Sequence, residues 1–170
     1  MSAHPLEPRA AVSRVEGLAK AWRSAWGDPT PEAFAACCLL HVQYEDPLAP
    51  EPLEGTIALC DHVQQLRKAF PDMRVEATGQ PIGESTFACV PWRAIGTQKG
   101  DLGALPPTER FMILHGLHYL ELEGGRVRRA RGFFDLYDAA TQLGVLPGRG
   151  SLGEKALLIL RGFGLRAGRT

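Results

Sequence analysis

Asp135 is the residue of this sequence whose surroundings most favour acid–base chemistry. It follows the apolar, aromatic run Gly132-Phe133-Phe134 at the end of a predicted strand. Removing a carboxylate from water raises its pKa, which makes it a better general base near neutral pH. Asp135 or Asp138 could instead cap the helix that follows, and Asp138 is the better cap by position. The local sequence leaves both interpretations of Asp135 open.

His118 is the second candidate, on the strand that forms a hairpin with the strand ending at Asp135. Because alternate residues of a strand face the same side, His118 shares an apolar face with Leu120 and Leu122. A histidine in that setting is often a simple core residue, but the hairpin carries it toward the same cavity as Asp135. His115 must face the opposite side, so the two histidines cannot bind one metal together.

Three further side chains could line a pocket for a small apolar or aromatic ligand. Trp92 could form a flat wall, although a core tryptophan needs no ligand. Tyr44 and Asp46 end the first predicted strand. Asp46 precedes Pro47, a position that is as typical of a turn as of a catalytic residue.

The elements that would position these residues follow from hydrophobic periodicity and from Gly and Pro. Helical spacing predicts helices over 13–26, 32–40 and 56–70. After Pro71 the period changes to two, which predicts strands over 73–77, 86–95, 111–122 and 126–136, with an earlier short strand over 41–46. A short helix over 138–143 closes the unit. This order indicates an α+β fold with the helices on one face of an antiparallel sheet.

The composition of the chain limits the classes of function that it could have. The 170 residues fit one domain with its own core, and 19 basic residues balance 19 acidic ones. This balance argues against a nucleic-acid-binding protein. The four cysteines have no C-x-x-C spacing and the beginning of the chain lacks a secretion signal, so we expect a cytoplasmic protein with reduced thiols.

We divide the chain into a flexible arm over 1–12, a domain over 13–147 and a basic, amphipathic C-terminal extension over 148–170. The extension has five basic side chains against Glu154, a local charge of +4. Its Ser151-x-x-Glu154 capping box predicts a helix. We expect that helix to pack on the domain or on a second subunit, and membrane contact is less favoured because the apolar stripe is short. Gly148-x-Gly150-x-x-Gly153 follows no strand, so it is not a dinucleotide site.

An ordered set of short motifs resembles the SnoaL-like polyketide cyclases over roughly residues 13–147. The matching pieces are Tyr44-Glu45-Asp46-Pro47, Gly55, Phe70-Pro71-Asp72, Gly96-Thr97-x-x-Gly100, Gly103, Pro106-Pro107-Thr108-x-Arg110, Gly125-x-Val127, Asp135 and Gln142-Leu143-Gly144. The resemblance implies a nuclear-transport-factor-2-like fold: a cone-shaped, curved antiparallel sheet with N-terminal helices that enclose one deep pocket. It also implies a homodimer.

The resemblance further implies an intramolecular aldol ring closure of a polyketide-like keto ester, with neither cofactor nor metal. Asp135 matches the acid/base of the family, and His118 would bind a substrate oxygen. Gln98, where relatives commonly have His, would also contact the substrate. Glu109 stands where relatives commonly have Gly.

Two other interpretations stay open. The pocket could serve a ketosteroid-isomerase-like isomerase, or an epoxide hydrolase with an Asp–Arg–Asp relay drawn from Asp135, Arg93 and Asp46. Arg93 and Trp92 face opposite sides of their strand, which weighs against that relay. The protein could also bind a small molecule without catalysis, since one fold can have many functions.

Overall fold

The structure is a computed structural model that describes residues 8–161, with side chains from Arg14 onward. The first seven residues of the predicted arm and residues 162–170 of the predicted extension lie outside the described residues. The described chain has five helices: α1 (Pro8–Gly27), α2 (Pro31–Cys37), α3 (Gly55–Ala69), α4 (Leu136–Gln142) and α5 (Leu152–Leu160). None of them is long and apolar enough to cross a bilayer.

Seven strands form one curved, unclosed sheet, which confirms the predicted α+β class. They are β1 (Cys38–Glu45), β2 (Leu53–Glu54), β3 (Arg74–Ala77), β4 (Ile82–Gly83), β5 (Phe87–Thr97), β6 (Phe111–Glu123) and β7 (Arg126–Phe134). Their order is β2-β1-β7-β6-β5-β3, and β4 also pairs with β5. The sheet is not antiparallel throughout, because β1 pairs with β7 in parallel.

The long β6–β7 hairpin sets the register of the candidate residues. Gly124 and Gly125 form its turn with positive φ angles of 59° and 78°, which glycine adopts at little cost. From this turn the two strands pair so that His118 lies opposite Gly132. On the other side of β6, Val90 of β5 lies opposite His118.

Two groups of buried side chains cover the inner face of the sheet. The larger group joins α1, α2 and α3 to the sheet around Trp22, Phe34 and Tyr44. The smaller group contains Phe70 and Trp92 and lies nearer to α4. The cavity of the domain lies against this second group. The helices therefore leave part of the concave face of the sheet uncovered.

Several boundaries differ from the predicted ones. Helix α1 begins at Pro8 rather than at residue 13, because proline fits the first turn of a helix and alanines follow it. Helix α2 ends at Cys37, and β1 takes up the next residues. Strand β7 ends at Phe134, which leaves Asp135 between the strand and α4.

Candidate active site

A cavity of about 290 Å³ lies between the concave face of the sheet, α3 and α4. This volume is at the lower end of the range for small-molecule sites. Its wall is almost wholly apolar, and few polar side chains lie on it. These are Tyr44 from β1, Asp46 directly after β1, Trp26 from α1, Trp92 from β5 and His118 from β6. The apolar lining comprises Leu48, Leu66, Phe70, Met73, Val75, Ala94, Leu102, Leu105, Met112, Leu114, Phe134, Leu136, Ala139, Ala140, Leu143 and Val145.

His118 is held in one tautomer by a tryptophan from the other end of the chain. The indole Nε1–H of Trp22 donates a hydrogen bond to His118 Nδ1 over 3.0 Å, with both side chains buried. Because Nδ1 accepts, it carries no proton, and the proton of the neutral ring must sit on Nε2. Nε2 is buried and has no hydrogen-bond partner among the described residues. The ring therefore has an unused donor, and His118 is one of the residues that line the cavity.

The same burial keeps His118 uncharged. Desolvation lowers its pKa from 6.5 to about 3, although the nearby charge of Asp46 acts in the opposite direction. A neutral imidazole whose Nδ1 is already occupied is a poor base near pH 7. It remains a good hydrogen-bond donor to a carbonyl or enolate oxygen.

Asp46 is the carboxylate on the cavity wall, and its side chain is only 2% exposed. One oxygen accepts hydrogen bonds from the backbone amides of Leu48 (2.7 Å) and Ala49 (2.9 Å). The other accepts from the Tyr44 hydroxyl and from His62 Nε2, each over 2.9 Å. Thus the carboxylate lies at the end of β1 with four donors around it.

These donors decide the charge of Asp46. Burial alone would raise its pKa, but the hydrogen bond and charge of His62, the Leu48 amide and the Tyr44 hydroxyl together hold the pKa below its ordinary value. Burial and the Asp46 charge raise the pKa of Tyr44 well above its ordinary range, so that its hydroxyl stays protonated. At neutral pH the pair is an ionised aspartate that accepts a hydrogen bond from a protonated tyrosine.

Two indole rings flank the His118 imidazole. The centroid of Trp26 lies 4.9 Å from that of His118, and the centroid of Trp92 lies 5.2 Å from it. Each indole Nε1–H is buried and lacks a partner among the described residues. The unpartnered polar atoms of this aromatic cluster are therefore donors, which would suit a flat ligand that has oxygen acceptors.

Two glycines make space for this cluster. A Cβ on Gly116 would lie 2.2 Å from the Trp92 ring, so only glycine lets the indole cross β6. A Cβ on Gly132 would lie 2.7 Å from the Tyr44 hydroxyl, 3.1 Å from Asp46 Cβ and 3.5 Å from His118 Cδ2. One point next to β7 is thus within contact distance of all three polar residues, which places them side by side.

Asp135 is not in this cluster, and the desolvated setting predicted for it is wrong. Its side chain is 54% exposed, and it caps α4 by accepting a hydrogen bond from the Asp138 backbone amide over 2.9 Å. The guanidinium of Arg149 lies 3.7 Å away. The expectation that Asp138 would be the cap is also wrong. Phe134 and Leu136 line the cavity while Asp135, between them, faces solvent.

Gln98 is buried but does not line the cavity, contrary to the predicted substrate contact. Its amide donates to the carbonyl oxygens of Gly100 and Pro106, and its oxygen accepts from the Thr108 amide and hydroxyl. All of its polar atoms therefore brace the loop between β5 and β6. In that loop Glu109 has a positive φ of 58°, the conformation that favours the glycine of the resembling proteins.

The three residues that could form an epoxide-hydrolase relay, Asp135, Arg93 and Asp46, do not lie together at the cavity. Arg93 forms an ion pair with Glu76, while Trp92 lines the cavity, so the two side chains lie on opposite faces of β5 as expected. No group of three or more His, Cys, Asp or Glu side chains within residues 14–161 is placed to hold a metal ion.

Of the residues that the sequence proposes for the site, Tyr44, Asp46, Trp92 and His118 line the cavity, and their roles stay predictions. Sequence reasoning missed Trp22, Trp26 and His62. The first two are four residues apart on α1, a spacing that puts them on one helix face, and this was the available signal. His62 carries no local signal, since its partner Asp46 is 16 residues away.

The fold is shared with solved structures of low sequence identity. A protein from Jannaschia sp. CCS1 assigned to the SnoaL-like polyketide cyclases aligns with a TM-score of 0.71, 17% identity and coverage of 86% of this chain and 99% of its own. IdmH, assigned as a polyketide cyclase of Streptomyces antibioticus, aligns with a TM-score of 0.65 and 17% identity over 76% and 98%. A Catenulispora acidiphila protein with a ketosteroid isomerase-like fold gives a TM-score of 0.63 and 15% identity over 75% and 92%. The fold is therefore ketosteroid isomerase-like.

The sequence itself identifies the family. The family described as SnoaL-like polyketide cyclase matches residues 16–143, which span all the strands and the first four helices save the beginning of α1. The chain belongs to this family. No curated protein matches the sequence closely enough to count as a relative.

Proposed function

We propose that this protein closes a ring in a polyketide-like keto ester by an intramolecular aldol reaction, with Asp46 as the proton carrier and His118 as the oxyanion donor. The observation that supports it is that Asp46, a buried carboxylate, and His118, whose Nε2–H lacks a partner among the described residues, are neighbouring residues of the wall of an apolar cavity. Family membership supports the reaction class. The base differs from the one that the resemblance implies, because Asp135 faces solvent.

The proposed reaction needs no net redox change and no loss of atoms. Asp46 accepts a proton from the carbon between two carbonyls, and His118 Nε2–H donates to the enolate oxygen that forms. The enolate carbon attacks a ketone of the same molecule and forms a carbon–carbon bond. The Asp46 carboxylic acid then returns the proton to the new alkoxide. Holding one folded substrate supplies much of the rate enhancement.

Tyr44 makes the carboxylate available in this proposal. All four acceptor positions of the Asp46 carboxylate are filled, and among the four donors only the Tyr44 hydroxyl can turn its hydrogen away by rotation about a single C–O bond. Tyr44 would release Asp46 when the substrate enters. The Leu48, Ala49 and His62 donors would keep the carboxylate in place.

A second candidate is a non-catalytic binding protein for a flat apolar ligand. The observation that favours it is the same full set of hydrogen bonds to Asp46, since a saturated carboxylate with a lowered pKa is a weak base. Both candidates use the same cavity, so a kinetic test separates them.

The test is turnover of a panel of anthraquinone-type keto esters, followed by the change of chromophore at constant mass. We expect Asp46→Asn to lower kcat by roughly 10²- to 10⁴-fold, the usual contribution of a positioned acid/base. His118→Ala should cost roughly 10²-fold as the loss of an oxyanion donor. Asp135→Asn, which retains a good helix cap, should keep nearly full activity.

Two results would contradict this assignment. If Asp135→Asn abolishes turnover while Asp46→Asn does not, the exposed aspartate is the base. If no member of the panel turns over, but ligands bind equally to the wild type and to Asp46→Asn, the binding protein is the better interpretation. Thermal unfolding of each variant shows whether a loss of activity is a loss of fold.

A further inference from the structure

The loop between β5 and β6 supplies part of the cavity wall. Leu102 and Leu105 of this loop both line the cavity. Each donates its backbone N–H to the carbonyl oxygen of the other, over 2.9 and 3.0 Å. Gly103 turns the chain between them with a positive φ of 59°, which glycine adopts at little cost. The part of the loop that would meet a ligand is therefore one tight turn that carries two leucines.

One buried side chain connects the two ends of this loop. Gln98 is fully buried, and its carboxamide donates to the carbonyl oxygens of Gly100 (3.0 Å) and Pro106 (3.1 Å). Its oxygen accepts from the Thr108 amide (3.1 Å) and from the Thr108 hydroxyl (2.6 Å). These bonds use every donor and acceptor position that a carboxamide has. Gln98 therefore joins the chain before the leucine turn to the chain after it.

The other contacts of the loop leave the leucine turn less well fixed. The amides of Lys99 and Gly100 donate to the Ala69 carbonyl oxygen at the end of α3, over 2.9 and 3.1 Å, and so hold only the beginning of the loop. The two leucines lie against the buried group around Phe70 and Trp92. The position of the turn therefore depends on this apolar packing and on the four hydrogen bonds of Gln98.

We propose that Gln98 is a specificity-determining residue of the cavity, because it fixes the place at which Leu102 and Leu105 meet a ligand. Its own side chain is not on the cavity wall, so it acts on the ligand through the loop. A wall that is ordered before the ligand arrives avoids the entropy cost of ordering on binding, which favours ligands that fit that wall. The role requires only that the cavity bind a ligand, and both functions considered above share that requirement.

The variant Gln98→Met separates the hydrogen bonds of Gln98 from the space that it fills. Methionine is an unbranched, adaptable side chain of similar length, so it occupies the same volume without a carboxamide. It leaves the Gly100 and Pro106 carbonyl oxygens and the Thr108 amide without this partner. Thr108→Val is a milder variant, because it removes only the 2.6 Å bond from the hydroxyl.

The test compares the binding of two fluorescent aromatic ketones to the full-length chain. Both are acyl-dimethylaminonaphthalenes with the same fluorophore, one with a propionyl chain and one with a hexanoyl chain. We expect Gln98→Met to shift the ratio of their dissociation constants roughly tenfold in favour of the longer probe. The shorter probe would have to order two leucine side chains, whereas the longer one would gain room as they move. Thr108→Val should shift the ratio in the same direction by a smaller factor.

Gln64→Met is the matched control. Gln64 lies on α3, donates to the Pro29 carbonyl oxygen over 3.1 Å and is not a wall residue of the cavity. This variant should leave the ratio of dissociation constants unchanged. Amide hydrogen exchange of residues 99–109, measured by mass spectrometry, should become faster in Gln98→Met and stay at the wild-type rate in Gln64→Met. Because these measurements do not use turnover, their outcome is independent of the aldol reaction.

Three results would overturn this role of Gln98. Unchanged exchange of the loop in Gln98→Met would mean that the carboxamide does not hold it. Faster exchange with an equal change of both dissociation constants would mean that Gln98 is a structural residue and does not select ligands. An equal shift of the ratio in Gln64→Met would mean that any lost hydrogen bond has this effect. If thermal unfolding shows that Gln98→Met is not folded, Thr108→Val decides, and an unchanged ratio in that variant contradicts the proposal.

Discussion

At the residue scale, the chemistry of this protein is decided by which atoms are left without partners. His118 and Asp46 are both buried polar groups, but they are satisfied differently. Asp46 has a donor at every acceptor position, whereas one His118 nitrogen accepts from Trp22 and the other has no partner among the residues that the structure describes. Because of this difference, His118 can bind a ligand oxygen directly. Asp46 must first lose one of its hydrogen-bond donors before it can accept a proton from a substrate.

The neutrality of His118 predicts a pH dependence of stability. Its pKa is about 3 in the folded chain and about 6.5 when unfolded, so between these values the unfolded state binds the extra proton. Stability due to this group is fully present above pH 6.5 and falls as the pH drops toward 3, by up to about 1.4 kcal/mol per pH unit. His118→Gln should lack this component. The difference between the two unfolding free energies, measured by urea titration from pH 7 to 4, checks it.

Direct observation of the ring completes this test. ¹⁵N NMR of histidine-labelled protein should show His118 as the Nε2–H tautomer at pH 7 and still uncharged at pH 5. Protonation near pH 6.5, or a proton on Nδ1, would contradict both the Trp22 hydrogen bond and the donor role.

At the element scale, two long strands and two glycines shape the cavity. Strand β6 brings His118 under the Trp92 indole only because Gly116 has no side chain, and β7 leaves room for Tyr44 and Asp46 only at Gly132. The parallel pairing of β1 with β7 is what brings Tyr44 beside this hairpin. The site is therefore a property of strand register as much as of residue type.

The variant Gly116→Ala should damage the site more than the fold. A Cβ there would lie 2.2 Å from the Trp92 ring, so the indole must shift into the cavity, at a cost of roughly 1–3 kcal/mol. We expect weaker binding of a flat aromatic probe such as anilinonaphthalene sulfonate, measured by its fluorescence. Gly17→Ala on α1, where a Cβ would meet nothing within 4 Å, is the control and should stabilise by roughly 0.5–1 kcal/mol. If Gly116→Ala binds the probe as tightly as the wild type does, this contact does not hold Trp92 in place.

At the scale of the whole molecule, the convex face of the sheet is more apolar than an exposed surface usually is. Phe111 and Ile113 of β6 and Phe133 of β7 are exposed on the face opposite the cavity, since their neighbours Met112, Leu114 and Phe134 line it. Exposed apolar patches of this kind mark interaction surfaces. The homodimer that the family resemblance implies would have a suitable interface here.

We therefore expect Ile113→Glu to weaken self-association by at least about tenfold, because an unpaired charge would be buried in each subunit. Sedimentation velocity over a dilution series measures this. Ile57→Glu, a change of the same type at an exposed position on α3, should leave self-association unchanged. A wild-type chain that is monomeric throughout the series would refute the dimer.

Local sequence was sufficient for most of the elements. The alternation of β5 and β6, the Gly-Gly turn of the hairpin and the helix-ending Pro71 all depend on neighbours a few residues apart, so the longer strands and the helices were predicted to within about five residues. The two-residue strands β2 and β4 were not predicted, because so short a strand has no periodicity of its own. The α+β class followed from their order, and the family followed from the resemblance of the ordered short motifs. The same local rules placed Trp92 and His118 on the inner face, because strand alternation alone determines which side a residue faces.

Tertiary structure decided which residues meet. Trp22 and His118 are 96 residues apart, and Asp46 reaches the same cluster through the parallel pairing of β1 with β7. No local pattern encodes such contacts, and none distinguishes an aspartate that caps a helix in solvent from one that is desolvated on a cavity wall. Asp135 and Asp46 each stand at the end of a strand in the sequence. Only the packing of the sheet against α3 and α4 buried one of them and left the other exposed.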